Sequence, residues 1–405
     1  MKIIFLAVLL AAADCITETG GTSQRLVCYL NVQATNRTGN TGDGAFSLDN
    51  IDPYLCTHLI YAFTSDIALN STSFGPTQIP YDKLLAPRVK NPKLKIMASI
   101  KSEDLKWDSS TGIENKANKT VDYLKKYRFD GLDIYWNMSS GNYPIVNFFT
   151  AMRNAFDKHN LIFSLAVFTE TNNDVMYFMD FVNTVDFISV LAYDLWRSTQ
   201  AFWEANHPAP LYSNSSDGRT IDSLILYWLE HDTPAAKLNL GIPLYGSSWT
   251  IPADGKTEPP ASATWGPLNK HVNLIGQMPY YDICSSVKSS GWKVLEEKSN
   301  STGPYAVSPA DPSGSRVWVG YDDVHMVTVK SQYIRYVRGL GGATVWDLSQ
   351  DDFRNVCGKG SYQLTTAIFR TLGIPRAKSS ASESKQLSLS NAIFLIFTSG
   401  LLSCR

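Results

Sequence analysis

The chain has almost no net charge. Its 36 Lys and Arg stand against 37 Asp and Glu, leaving −1 over 405 residues. Without a basic surplus there is no electrostatic reason to expect a nucleic-acid partner. Charged residues are few, at 18%, and hydrophobic residues reach 44%, which excludes global disorder and supports a sizeable core. No Gly-x-Gly-x-x-Gly follows an early strand, and there is neither a phosphate loop nor a Gly-x-Ser-x-Gly motif, so nucleotide and α/β-hydrolase chemistry lack their usual supports. The histidines, His58, His159, His207, His231, His271 and His325, include no metal-spaced pair, and no metal site or cofactor is expected. The adjacent acids of "GYDDVHM" read as a solvated turn. Internal repeats are absent.

Aromatics are plentiful instead, at 12% with 10 Trp. A large core accounts for them; so does a carbohydrate groove, because aromatic faces stack on the apolar faces of sugar rings. Lys2, the apolar run Ile3–Ala13 and the small residues Ala11–Ala13 read as a secretory signal over residues 1–20. Secretion makes disulfides plausible. Cys15 lies beside the signal and Cys404 in the tail. Cys28, Cys56, Cys284 and Cys357 remain, and four thiols allow three connectivities. The nearest-neighbour choice is Cys28–Cys56 with Cys284–Cys357. Asn-x-Ser/Thr sequons at Asn36, Asn70, Asn118, Asn214 and Asn300 predict surface glycosylation, whereas the sequon at Asn137 falls in a strand and is expected to stay unmodified. At the other end, residues 379–405 combine small polar residues, a short spacer and an apolar terminus. That order matches a GPI-attachment signal with Ser380 or a neighbour as the site, or else a disordered tail. A membrane is expected to matter only through such an anchor, so the protein is expected to be secreted or held at the cell surface.

Between these ends, over residues 21–378, apolar strand runs alternate with helical stretches. Eight strands are predicted, near Val27, Leu59, Ile96, Leu132, Phe163, Ile188, Leu240 and Thr344. "ENKANKTVDYLKKYR" carries Val121, Leu124 and Tyr127 at helical spacing. The alternation predicts an α/β (β/α)8 TIM barrel, with a doubly wound open sheet as the alternative. From residue 247 to about 320 the alternation breaks into Pro-, Gly-, Ser- and Tyr-rich sequence, predicting a small α+β insertion between strands 7 and 8. Barrel sites form at the C-terminal ends of the strands. Those ends carry Tyr29, Phe63, Ser99, Asn137, Tyr193, Asp194, Tyr245 and Trp346.

The blocks "LVCYL", "CTHLIYAF", "FDGLDIYWN", "LAYDLW", "GIPLYGSSW", "YYDIC", "WVGYDD" and "GLGGATVWDLSQDDF" follow one another in the chain. In that order they resemble family-18 glycoside hydrolases, chitinases and non-catalytic chitinase-like lectins, over roughly residues 25–373. The family's Asp-x-x-Asp-x-Asp-x-Glu signature reads here Asp130-Gly131-Leu132-Asp133-Ile134-Tyr135-Trp136-Asn137. The resemblance implies a substrate-assisted route in which the Glu donates a proton and the neighbouring Asp orients the substrate's acetamido group. Asn137 has no proton to give up near neutral pH, and Tyr135, with an ordinary pKa of about 10, supplies no negative charge. General acid catalysis is worth about 10²–10⁴-fold, so loss of the Glu alone predicts an inactive homologue.

The third-strand block, usually Ser-x-Gly-Gly, is Ser99-Ile100-Lys101-Ser102; Leu191 replaces Met, and Asp347 replaces a small residue. The resemblance further implies that Trp346 floors the central sugar subsite, that Tyr193 and Asp194 contact an acetamido group, and that Tyr245, Tyr29 and Phe63 line the pocket. Asp133 and Asp130 read as structural acids. Three functions follow: a lectin-like binder of N-acetylglucosamine oligomers or related glycans, a signalling or adhesion protein that binds a protein partner, and a glycosidase with an acid relocated to Asp194 or Asp347.

Overall fold

A computed structural model of the chain describes residues 24–37, 42–64, 73–74, 78–105, 112–136, 145–168, 179, 182–196, 204–213, 219–296 and 299–376. Eight strands close into one parallel barrel. They are β1 (Arg25–Asn31), β2 (His58–Thr64), β3 (Lys95–Lys101), β4 (Gly131–Trp136), β5 (Ile162–Val167), β6 (Phe187–Val190), β7 (Leu238–Pro243) and β8 (Gly342–Trp346). Each pairs with the next, and β8 returns to β1 with Arg25 opposite Gly342. The eight strands and the barrel are as the alternation predicts. Strands covered on both faces read as near-continuous apolar runs, and β7 is buried along its whole length.

The outer layer is helical: α1 (Tyr81–Lys90), α2 (Ile113–Lys126), α3 (Ile145–Asp157), α4 (Ile221–Glu230), then α5 (Tyr280–Ser289), α6 (Val324–Gln332) and α7 (Gln363–Thr371). In α2, Ile113, Ala117, Val121 and Leu124 are buried, a stripe at steps of three and four residues. The first turn of α4 is held by a capping box: Thr220 Oγ1 accepts from the Ser223 amide at 3.1 Å, and Ser223 Oγ accepts from the Thr220 amide at 3.3 Å.

Between β7 and β8 lies an antiparallel sheet in the order 264–265, 245–252, 315–320, 305–307, 293–295, with 277–279 also pairing the long strand. The sheet starts at Tyr245, not at Ser247 as expected. "LNLGIPLYG" reads as one strand, but the chain breaks after Pro243: the Leu244 amide donates to the Trp346 carbonyl at 2.8 Å, and Tyr245 opens the new sheet. Trp249, Trp318 and Tyr305 form a second small core there with Ala205 and Ala261.

The turn "GYDDVHM" is not solvated at its first acid. Asp322 is fully buried and ion-paired at 2.5 Å to the fully buried Lys330, whose ammonium also donates to the Ala209 carbonyl at 2.7 Å. Asp323 caps α6, accepting from the Met326 amide at 2.8 Å. The partner of Asp322 is eight residues along the chain and the second acceptor 121 away, so adjacent acids alone could not reveal the burial.

Both nearest-neighbour disulfides form. Cys28–Cys56 ties β1 to the start of β2, and Cys284–Cys357 ties α5 to the segment after β8. The same sulfurs lie near Asp352, but that carboxylate accepts from the Val356 and Cys357 amides and from Gln363. Among the described residues this one His/Cys/Asp/Glu cluster of metal-site size is therefore a disulfide beside a satisfied acid.

Candidate functional site

Asp133 sits mid-way along β4, and the parallel register sets Ser99 of β3 and Ser164 of β5 on either side of it. Paired residues in neighbouring strands point the same way, so all three side chains enter the barrel. Ser99 Oγ donates to Asp133 Oδ2 at 2.7 Å and Ser164 Oγ to Oδ1 at 2.7 Å. Tyr29 Oη donates to Oδ2 at 2.6 Å from β1. The carboxylate is wholly buried. Burial pushes its pKa up to about 6, against the pull of the three hydroxyls. Burial and the nearby Asp133 likewise raise the Tyr29 phenol well above its ordinary value. Ser99 is a strand-end residue singled out in the sequence. Ser164 is not; its one signal was to be the lone hydroxyl in an otherwise apolar strand "IFSLAV".

Above this shell lies an aromatic cluster. Trp346, half-buried at the end of β8, packs against Tyr29 at 5.3 Å, Phe63 at 5.7 Å and Tyr135 at 6.1 Å between ring centroids. Phe63 and Tyr135 meet edge to face at 5.1 Å. Burial, with Asp194 and Glu103 nearby, pushes the Tyr135 phenol up to about 12, so it is neutral at any physiological pH. Lys101 places its ammonium 5.3 Å from the Phe63 ring centre and 3.3 Å from Glu103. The Ala62–Phe63 and Trp346–Asp347 peptides are cis.

Tyr193 follows β6 and packs edge to face on Tyr245 at 6.1 Å. Asp194, with φ +57°, accepts from Tyr245 Oη at 2.7 Å and from Ser247 Oγ at 3.2 Å. Tyr29, Phe63, Tyr135 and Trp346 are thus one cluster, and Tyr193, Asp194 and Tyr245 a second. Asn137 and the residues up to 144 lie outside the described residues, as do Asn70, Asn214, Ser380 and both expected targeting segments.

The remaining acids have other work. Asp347 is buried, and its carboxylate accepts from the Ser349 amide at 2.8 Å, the Ser349 hydroxyl and Gln350 Nε2 at 3.0 Å, capping the turn after β8. Asp130 accepts from the Ile96 amide at 2.7 Å and pairs with Arg88, a structural role. His58 is held neutral, its pKa lowered to about 3 by burial. Of the sequons, Asn36, Asn118 and Asn300 are all exposed.

The family model described as "Glycosyl hydrolases family 18" matches residues 25–351. Chitinase-3-like protein 2 of Homo sapiens is 30% identical over 380 residues, 87% of this chain and 94% of its own length. Chitotriosidase-1 of Mus musculus is 31% identical over 386 residues, 88% of this chain and 79% of its own. Among solved structures, one is described as "Human YKL-39 is a pseudo-chitinase with retained chitooligosaccharide binding properties". It matches with a TM-score of 0.75 at 28% identity, covering 87% of this chain and 100% of that one.

Proposed function

This chain belongs to family 18 of the glycosyl hydrolases, and from that premise we propose that it binds glycans containing N-acetylglucosamine at the barrel mouth without cleaving them. The observation that carries the reading is Tyr135. Where the family signature has an acid, a neutral phenol packs edge to face on Phe63 and lies against Trp346. It adds apolar surface and removes charge. Asn137, two residues on, replaces the general acid with an amide that holds no acidic proton. Trp346 is the platform for a sugar ring, and Tyr193 and Asp194 are the polar contacts beside it.

A relocated acid is disfavoured by the bonds described above. The Asp347 carboxylate is occupied in a turn, and Asp194 is held by two hydroxyls of the inserted sheet. The retained likeness to a pseudo-chitinase that binds chitooligosaccharides supports the same conclusion. One observation favours a protein partner instead. Lys101, standing where the family block has Gly, leans over the Phe63 ring and occupies part of the floor. The reading includes secretion, glycosylation and a GPI anchor near Ser380; among the described residues no helix is long and apolar enough to cross a membrane. Release from cells by a phosphatidylinositol-specific phospholipase tests the anchor.

The test of the function is a tryptophan-fluorescence titration with chitin oligomers, beside Trp346→Ala. Saturable quenching that the variant loses is the expected outcome. No response at millimolar sugar refutes glycan binding and turns attention to protein partners.

A further inference from the structure

The described chain leaves the barrel at the end opposite the mouth. α7 starts beside the turn after β8, where the Thr365 amide donates to Asp351 Oδ2 at 2.9 Å, and its nine residues run back past the strand. It ends beside Arg335, whose Nη1 donates to the Thr371 carbonyl at 3.3 Å. Arg335 lies just ahead of β8: the Leu340 amide donates to the Ile334 carbonyl at 2.8 Å, and β8 then runs from Gly342 to Trp346 at the mouth. The last described residue, Arg376, is four residues from Ser380, a span of at most about 14 Å. An anchor at Ser380 would hold this lower rim close to the bilayer.

The rim carries apolar groups that the core does not use. Val327, Lys330 and Ile334 are buried at steps of three and four residues, and Val337 continues the series. A regular helix would turn Val337 toward the core. Instead Tyr333–Val337 forms a π turn, closed by the Arg338 amide on the Tyr333 carbonyl at 3.0 Å. Tyr336 and Val337 are left 69% and 57% exposed. The Arg335 guanidinium lies 5.1 Å from the Tyr336 ring centre, and Arg370, next to Thr371, is exposed. Arg338 is paired with Asp222 at 2.6 Å, and Arg376 has Asp52 at 3.7 Å. Four cations therefore stand against two acids. Two apolar side chains fall far short of the roughly 800 Å² per partner of a stable protein interface. Tyrosine and arginine beside a small apolar surface are instead what a layer of phospholipid headgroups accepts.

We propose that the rim formed by Arg335, Tyr336, Val337, Arg370 and Arg376 is a phospholipid-contact surface, which rests on the bilayer and points the mouth away from it. Tyr336 and Val337 enter the headgroup layer, and the arginines meet the lipid phosphates. A single lipid anchor holds a protein only loosely, and this rim supplies the second contact. The inference rests on the anchor reading above and adds an orientation to it: the glycan site faces outward, toward whatever carries the glycan.

Hydroxyl-radical footprinting of the full chain tests the idea, first held in phosphatidylcholine vesicles and then after release by a phosphatidylinositol-specific phospholipase. Tyr336 is expected to oxidise several-fold more slowly in the held state, while Trp265 on the inserted sheet, 40% exposed, oxidises equally in both. Equal oxidation of Tyr336 in the two states overturns the rim and leaves the anchor standing. A second measurement needs no anchor. The soluble chain is sedimented with vesicles of phosphatidylcholine and phosphatidylserine, beside Arg370→Ala. Loss of that one exposed cation is expected to weaken vesicle binding about fivefold. If the phospholipase releases nothing from cells, the anchor reading falls and sedimentation decides the rim alone. A soluble chain that stays off both kinds of vesicle, with or without Arg370, overturns the rim as well.

Discussion

Replacing Asp133 by Asn should make the protein more stable at neutral pH and remove a pH dependence that the native chain carries. The folded carboxyl titrates at about 6, against an ordinary 3.8. Between those values the folded state holds a proton that the unfolded state has given up, so stability falls as pH rises through the window. The penalty is absent below about 3.8, complete above about 6, and amounts to about 3 kcal/mol at about 1.4 kcal/mol per pH unit. An amide keeps the shape of the neutral acid. Its oxygen accepts from two of the three hydroxyls, and its NH₂ turns to the oxygen of the third. Lost charge-assisted bonds reduce the gain, leaving about 1–3 kcal/mol in favour of Asp133→Asn at pH 7. Urea unfolding of both proteins from pH 4 to pH 8 measures it. The difference in unfolding free energy should climb from pH 4 to pH 6 and then level off. A flat difference across that range, or a wild type that is the more stable at pH 7, refutes the account of a carboxylate strained by burial.

Three further outcomes follow from the same structure. Changing both cysteines of a pair to Ser should cost about 3.5–4.5 kcal/mol, somewhat more for Cys284–Cys357 than for Cys28–Cys56 because their separations are 73 and 28 residues; calorimetric melting reads both. Lys330→Met leaves Asp322 buried and unpaired and should cost about 3–5 kcal/mol, whereas Lys330→Met with Asp322→Leu should recover most of that loss in denaturant titrations. Tyr135→Asp with Asn137→Glu should bring back slow cleavage of a fluorogenic chitin oligomer. An inactive but folded double variant would show that Lys101 or its surroundings also block the reaction.

The barrel was legible because its strands are buried on both faces and read as apolar runs, as in Leu26–Leu30 and Leu59–Phe63. The aromatic cluster was legible because barrel sites gather at strand ends, so Phe63 and Trp346 could be placed without knowing their distance apart. What escaped was set by register and long-range pairing. Ser164 matters because β5 meets β4 with Ser164 opposite Asp133, a fact no local pattern contains. Tyr245 read as the end of a barrel strand because the break at Pro243 depends on a bond to Trp346, about a hundred residues away in the chain. Lys101 was visible as a departure from the Gly of the family block, but its contact with Phe63 needed the fold.

Asp133 poses a last question: why a barrel without the neighbouring acids keeps one that weakens it. The three hydroxyls supply the answer. Ser99, Ser164 and Tyr29 come from β3, β5 and β1, and one carboxylate with two oxygens accepts from all of them. An apolar residue at 133 would escape the burial penalty but leave three buried hydroxyls without that acceptor, at about 1–3 kcal/mol each. The Tyr29 ring, no longer held at its hydroxyl, would also be free to turn beneath Trp346. The acid therefore holds the ring beneath Trp346 in one orientation. On that account Asp133→Leu should lose oligomer binding even where it remains folded, while Asp133→Asn should keep it.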